Sequence, residues 1–169
     1  MYLLMLRCGL RVGEVQALSL GDVYRRPIVG SLPRLWVRGK NDTHRIAYLS
    51  AQPLAALEAW LEARPETKDQ ALFVTRGGKR LKVNSIQVQL GRLCRRAGVW
   101  ITCHQLRHTF ARHLVEAQVP IASLQKLLGH ARLRTTQTYL HISDRQVQHD
   151  YETAMEEVCR RIFLEGTRQ

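Results

Sequence analysis

Between Ile86 and Ala97 the apolar residues Ile86, Leu90, Leu93 and Ala97 are spaced by four, three and four, and Gly98 stands where the run stops. That interval lays one apolar stripe along a helix, and the glycine marks its end. The same grammar recurs along the chain. Leu3, Leu4, Leu6 and Leu10 predict a helix already under way at the first residue, continued by Glu14, Val15 and Leu18 as far as residues 19–22. Leu54, Leu57 and Leu61 line another, with Ser50 as its cap and Pro65 as its stop. Thr102 is placed to cap a helix whose buried face is Leu106, Phe110 and Leu114, and Pro120 to start one that ends near Gly129. A short helix is expected over 135–141, and Val147, Tyr151, Ala154, Val158 and Ile162 trace a stripe on a polar terminal helix. Strand character is confined to Leu35-Trp36-Val37-Arg38, a turn at Gly39-Lys40-Asn41-Asp42, a return over 45–49, and a short run at 71–74. The expected class is therefore mainly α with a small antiparallel β-sheet, an α+β chain.

At 169 residues the chain reads as one domain, large enough to bury a proper core. Lysine and arginine number 26 against 14 acids, a formal net charge of +12. That excess calls for a polyanionic partner, most simply nucleic acid. An anionic membrane surface is second, but no apolar run is long enough to span a bilayer. The apolar start is short and interrupted by Arg7, which argues against a signal peptide and for a cytoplasmic protein. Cys8, Cys94, Cys103 and Cys159 lack the paired spacing of zinc or redox sites and are expected to be free thiols.

The chemistry-bearing residues come in local words: Gly9-Leu10-Arg11-Val12-Gly13-Glu14, His104-Gln105-Leu106-Arg107-His108 and Leu128-Gly129-His130, the last leading to Thr135-Thr136-Gln137-Thr138-Tyr139. Attack on a phosphodiester concentrates negative charge on the non-bridging oxygens, and preorganised donors aimed there are the strongest catalytic device available. Arginine suits the task because its planar fork donates two parallel bonds and never deprotonates. Arg11 lies in a mostly apolar segment and Arg107 among residues predicted to pack, so neither reads as a solvated surface charge. His104 and Arg107, three apart, share a helix face. With these words in this order, the chain resembles the catalytic domain of the tyrosine recombinases (phage integrases and Xer-type resolvases) from about Leu3 to His141.

The resemblance implies a role for each residue. Arg11 and Arg107 match the two phosphate-clamping arginines. His104 helps move the tyrosyl proton and bonds the phosphate, and His130 donates to the same phosphate. Lys40, on the hairpin turn, is the general acid that protonates the departing 5′ oxygen. Tyr139, nine residues after His130, is the nucleophile; Tyr2, Tyr24, Tyr48 and Tyr151 fall outside the matching word. A phenol of pKa about 10 is a poor nucleophile until cations and an acceptor surround it. Glu14 matches an acidic position that orients a basic group or the histidine, and His108 is read as a structural bond-maker beside the site. The product is a 3′-phosphotyrosyl bond and a free 5′ hydroxyl. No metal, nucleotide or other cofactor is expected.

Site-specific recombination or integration of double-stranded DNA is accordingly the expected function, with self-association into a synaptic tetramer on that DNA. Type IB topoisomerase-like strand relaxation and a DNA-binding integrase remnant without activity are the alternatives. The His104-x-x-x-His108 spacing also fits a helical zinc pair, but Gln105 replaces the glutamate such sites need and Arg107 would face the metal as a like charge. The expected organisation is a single catalytic domain over 1–169, clipped at its N-terminus and lacking the family's N-terminal DNA-gripping domain. Its 144–164 helix would dock either on its own domain or on a neighbouring subunit.

Overall fold

The first helical stretch breaks at Gly9. In the computed structural model, which describes residues 1–25, 30–39, 43–129 and 144–166, α1 spans Tyr2–Cys8 and α2 spans Val12–Ala17, where apolar spacing predicts one helix. Gly9 takes φ 67° and returns its N–H to the Leu4 carbonyl, a left-handed cap that suits a residue without a Cβ. A Cβ built there would also collide with the Phe110 ring. Tertiary packing overrides local periodicity at this point.

Three antiparallel strands follow: β1 (Val23–Tyr24), β2 (Arg34–Arg38) and β3 (His44–Tyr48), in that spatial order. The predicted hairpin forms between β2 and β3, with Val37 opposite Arg45 and Arg38 opposite His44. The Gly39 N–H donates to the Thr43 carbonyl at 2.6 Å where the hairpin closes. β1, two residues long, is too short to show alternation in the sequence.

α3 (Ala51–Ala63) starts after Ser50, although the Ser50 hydroxyl accepts no capping bond, and stops at Arg64, which the following Pro65 keeps extended. Residues 71–74 do not form the predicted strand. They make isolated bridges, Ser19 with Ala71 and Val74 with Arg80. Side chains and a loop take up their backbone instead: Trp60 Nε1 donates to the Leu72 carbonyl at 2.8 Å, Arg64 Nη2 to the Ala71 carbonyl at 2.8 Å, and the Leu72 N–H to the Leu18 carbonyl at 2.9 Å. With those groups satisfied, no partner strand is needed.

α4 (Val83–Ala97) ends at Gly98, φ 66°, and buries Ile86, Leu90 and Cys94. Leu93 is 49% exposed, so the stripe runs by fours and passes it by. α5 (Cys103–Glu116) opens with a reciprocal cap in which the Gln105 N–H donates to Thr102 Oγ1 and the Thr102 N–H to Gln105 Oε1. α6 (Ile121–Leu128) follows Pro120 and closes at Gly129, φ 61°. α7 (Asp144–Gly166) lays Val147, Tyr151, Ala154 and Val158 against its own domain, where it meets α5 and α6, while Ile162 is exposed. The short helix expected over 135–141 lies outside the described residues. No helix among the described residues is long and apolar enough to cross a membrane. All four cysteines are free, with Cys159 exposed and the other three buried.

Two apolar clusters hold these elements together. One gathers α1, α2, the sheet, α3, α4 and the start of α5, including Leu10, Val15, Val37 and Leu106. The other gathers Tyr48, Phe110, Leu114, Leu128, Val147 and Tyr151. α5 contributes Leu106 to the first and Phe110 to the second. Arg107 therefore emerges at the seam between them.

Candidate active site

Arg107 is buried, and its fork is held by the ends of two other helices. Nη1 donates to the Gly9 carbonyl at 2.5 Å and Nη2 to the Leu128 carbonyl at 2.6 Å. Gly9 caps α1 and Leu128 closes α6, both at left-handed glycines. Each carbonyl is thus one of the orphan acceptors at a helix C-terminus, where partial negative charge favours a cation. The words Gly9-Leu10-Arg11 and Leu128-Gly129-His130 meet at this guanidinium.

Glu14, one turn into α2 and buried, is the counter-charge. Its Oε2 accepts from the Arg11 N–H at 2.7 Å and from Arg45 Nη2 at 2.7 Å, its Oε1 accepts from Arg11 Nη1 at 2.9 Å, and Arg107 Nη1 lies 3.7 Å from Oε2. Among the described residues three guanidiniums thus surround one carboxylate, an excess of two positive charges. Arg11 is 48% exposed on its side chain, whereas Arg45 is 8% and Arg107 7% exposed. Burial lowers the affinity of the Arg107 guanidinium for its proton, the neighbouring Arg11 and Arg45 lower it further, and Glu14 opposes both, leaving it at about 10. Arg45 is lowered in the same direction, first by burial, with Glu14 again opposing. An under-neutralised cationic cluster with one fork reaching solvent is built to receive an anion.

His104 is exposed on α5, one turn before Arg107 and His108. Its Nε2 lies 2.7 Å from His108 Nε2, and the two rings meet edge to face at 4.3 Å between centroids. One imidazole must donate and the other accept, so His108 is the direct partner of His104. Among the described residues, then, the structure gathers Arg11, Glu14 and Arg107 into one cluster and places His104 with His108 on the same helix as Arg107. Lys40, His130 and Tyr139 lie outside the described residues, next to Gly39 and Gly129 in the first two cases.

Arg45 is the member of the cluster that sequence reading passes over. It looks like one more cation on a return strand. The available signal is strand alternation: Arg45, Ala47 and Leu49 fall on one side, Ala47 and Leu49 are core, and Val37 opposite Arg45 is fully buried. An arginine in that phase needs a buried acid, and Glu14 is the one buried acid among the described residues.

The model of the phage integrase family matches residues 1–146. The chain belongs to that family. Among curated phage integrase relatives, tyrosine recombinase XerC of Haemophilus ducreyi is 38% identical over 155 residues, covering 89% of this chain and 49% of that protein. XerC of Alcanivorax borkumensis is 35% identical over 164 residues, covering 94% of this chain and 52% of that protein. The chain spans about half the length of the curated relatives it matches. The crystal structure of XerA recombinase superposes with a TM-score of 0.69 at 30% identity, covering 88% of this chain and 54% of that one. XerH site-specific recombinase, bound to its difH substrate before cleavage, superposes at 0.67 with 27% identity over 88% of this chain and 44% of that one. The integrase family fold thus accounts for both the α-rich architecture and the small sheet.

Proposed function

We propose that this chain is the catalytic part of a site-specific tyrosine recombinase that breaks and rejoins duplex DNA through Tyr139. The observation that carries the reading is the cluster of Arg11, Arg45 and Arg107 on the single carboxylate of Glu14, cationic in excess and open to solvent at Arg11. The XerC relatives and the substrate-bound XerH neighbour support it. In this reading the scissile phosphate docks on Arg11 and Arg107, whose forks meet the charge that grows on its non-bridging oxygens. The Tyr139 oxygen attacks phosphorus, His104 takes up the phenolic proton, and His130 donates to the phosphate. Lys40 protonates the 5′ oxygen as the P–O bond to it breaks. The phosphotyrosyl bond keeps the ester's energy, so a 5′ hydroxyl from another strand reverses the step without ATP. Exchange between two duplexes opens four strands, one per tyrosine, which fits a tetramer on DNA.

The test is a nicked suicide duplex, from which the short released fragment bearing the 5′ hydroxyl diffuses away, analysed on a denaturing gel. Wild type should yield a covalent protein–DNA adduct and Tyr139→Phe none. No adduct in wild type, or one that survives Tyr139→Phe, sinks the reading. Lys40→Ala should cleave slowly on the normal duplex and recover when sulfur replaces the 5′ bridging oxygen, a leaving group that needs no acid. Equal loss on both duplexes would remove Lys40 from the role.

A further inference from the structure

We propose that Arg45 is a positioning residue: it holds Glu14 off Arg107 and braces the Gly129 turn, so that the phosphate clamp stays set. The proposal rests on the recombinase reading. Arg45 Nη2 reaches both Glu14 Oε2, at 2.7 Å, and the Gly9 carbonyl, at 3.4 Å. Arg107 Nη1 addresses the same two acceptors, at 3.7 and 2.5 Å. The two buried forks therefore divide one carboxylate and one carbonyl between them, and Arg45 takes the larger share of the carboxylate. On its other side the Arg45 stem fills the space above Gly129: a Cβ there would lie 2.6 Å from Arg45 Cδ and 2.8 Å from Nε. That contact falls at Gly129, which directly follows Leu128, whose carbonyl Arg107 grips.

Stability alone is a poor reason for such an arginine. Among the described residues, Nε and Nη1 of Arg45 are buried without hydrogen-bond partners, and an apolar side chain of similar length would avoid that cost. What an apolar side chain cannot do is keep Glu14 occupied. Without Arg45, the freed Oε2 would close on Arg107, neutralise its fork and draw it away from the position a phosphate needs. Arg45 also stands on β3, paired with β2 and five residues after Lys40 in sequence, so the same contacts tie the hairpin to the clamp.

The experiment measures single-turnover cleavage of the suicide duplex at saturating protein, and separately the affinity for the uncleaved duplex, for wild type, Arg45→Met and Arg45→Lys. Arg45→Met should slow cleavage by about 10²-fold, the scale of a misplaced catalytic group. Its DNA affinity should stay within about threefold, since affinity is spread over many phosphate contacts. The slowing should persist on the 5′-sulfur duplex, because the defect lies in the clamp and not in the acid. Arg45→Lys, which restores the charge but not the fork, should recover part of the rate and remain roughly tenfold slow. If Arg45→Met does not fold by circular dichroism, Arg45→Lys alone decides, and a rate within threefold of wild type overturns the proposal. Cleavage by Arg45→Met within threefold of wild type overturns it too, as does a parallel loss of binding and cleavage. A wild type that forms no adduct fails at the earlier step and brings down the recombinase reading itself.

Discussion

Glu14 answers to three guanidiniums, and its removal is the most informative change at the scale of single residues. Glu14→Gln keeps the shape but leaves Arg45 and Arg107 buried without a counter-charge. It should cost roughly 3 kcal/mol or more, as breaking a buried ion pair from one side does, read from a urea melt; a loss under 1 kcal/mol would mean that the three forks do not depend on it. Cys8 offers a pH signature. Burial pushes its thiol from an ordinary 9.0 up to about 12. The folded chain therefore keeps a proton that the unfolded chain releases above pH 9. That contribution to stability is whole below pH 9 and is lost as pH rises through about 12. Between pH 9 and 10 wild-type stability should fall with pH, and Cys8→Ala should lessen that slope by about 1 kcal/mol per pH unit. Tyr2, raised to about 12 by burial, and Tyr151, raised well above its usual value, push the same way in both proteins. Unchanged slopes would contradict the burial of Cys8.

Between elements, the helix ends matter more than the helix middles. Gly9→Ala must place a Cβ at φ 67° and against the Phe110 ring, and should cost about 2–4 kcal/mol from backbone strain and overpacking together. It should also slow cleavage, because the Gly9 carbonyl holds Arg107. A Gly9→Ala chain as stable and as active as wild type would deny both effects. How far the sequence discloses this level depends on where each force acts. The caps at Thr102, Gly98 and Gly129 are legible because a cap is local chemistry. The pairing of β2 with β3 is legible because two short apolar runs flank a segment of turn-forming residues. The break at Gly9 is not, since apolar spacing runs straight through it and the cause, Phe110, stands about a hundred residues away. The same holds for 71–74, whose strand-like sequence is satisfied by Trp60 and Arg64. At the site, Arg11, Glu14 and Arg107 announce themselves by their words. Arg45 does not, because Glu14 stands 31 residues before it and reaches it only in the folded chain.

For the molecule as a whole, the net charge of +12 is spread over exposed arginines such as Arg92, Arg95 and Arg96 at the end of α4. DNA affinity should fall with added salt on a log–log slope of about −4 or steeper, the mark of roughly five neutralised phosphates; filter binding across a salt series measures it, and a flat line would point to a partner other than DNA. α7 is the other feature of this scale. Tyr151 is fully buried, packs on Tyr48 and donates to the Arg7 carbonyl at 3.2 Å. Tyr151→Ala should cost about 3–5 kcal/mol in a thermal or urea melt, which a helix resting loosely on the surface would not show. The grip on Arg107 draws one carbonyl from residue 9, another from residue 128 and a counter-ion from residue 14. No stretch of this polypeptide can assemble that grip by itself, so a nascent or half-denatured copy lacks it: under the recombinase reading, the power to break a strand arrives only with the finished tertiary structure.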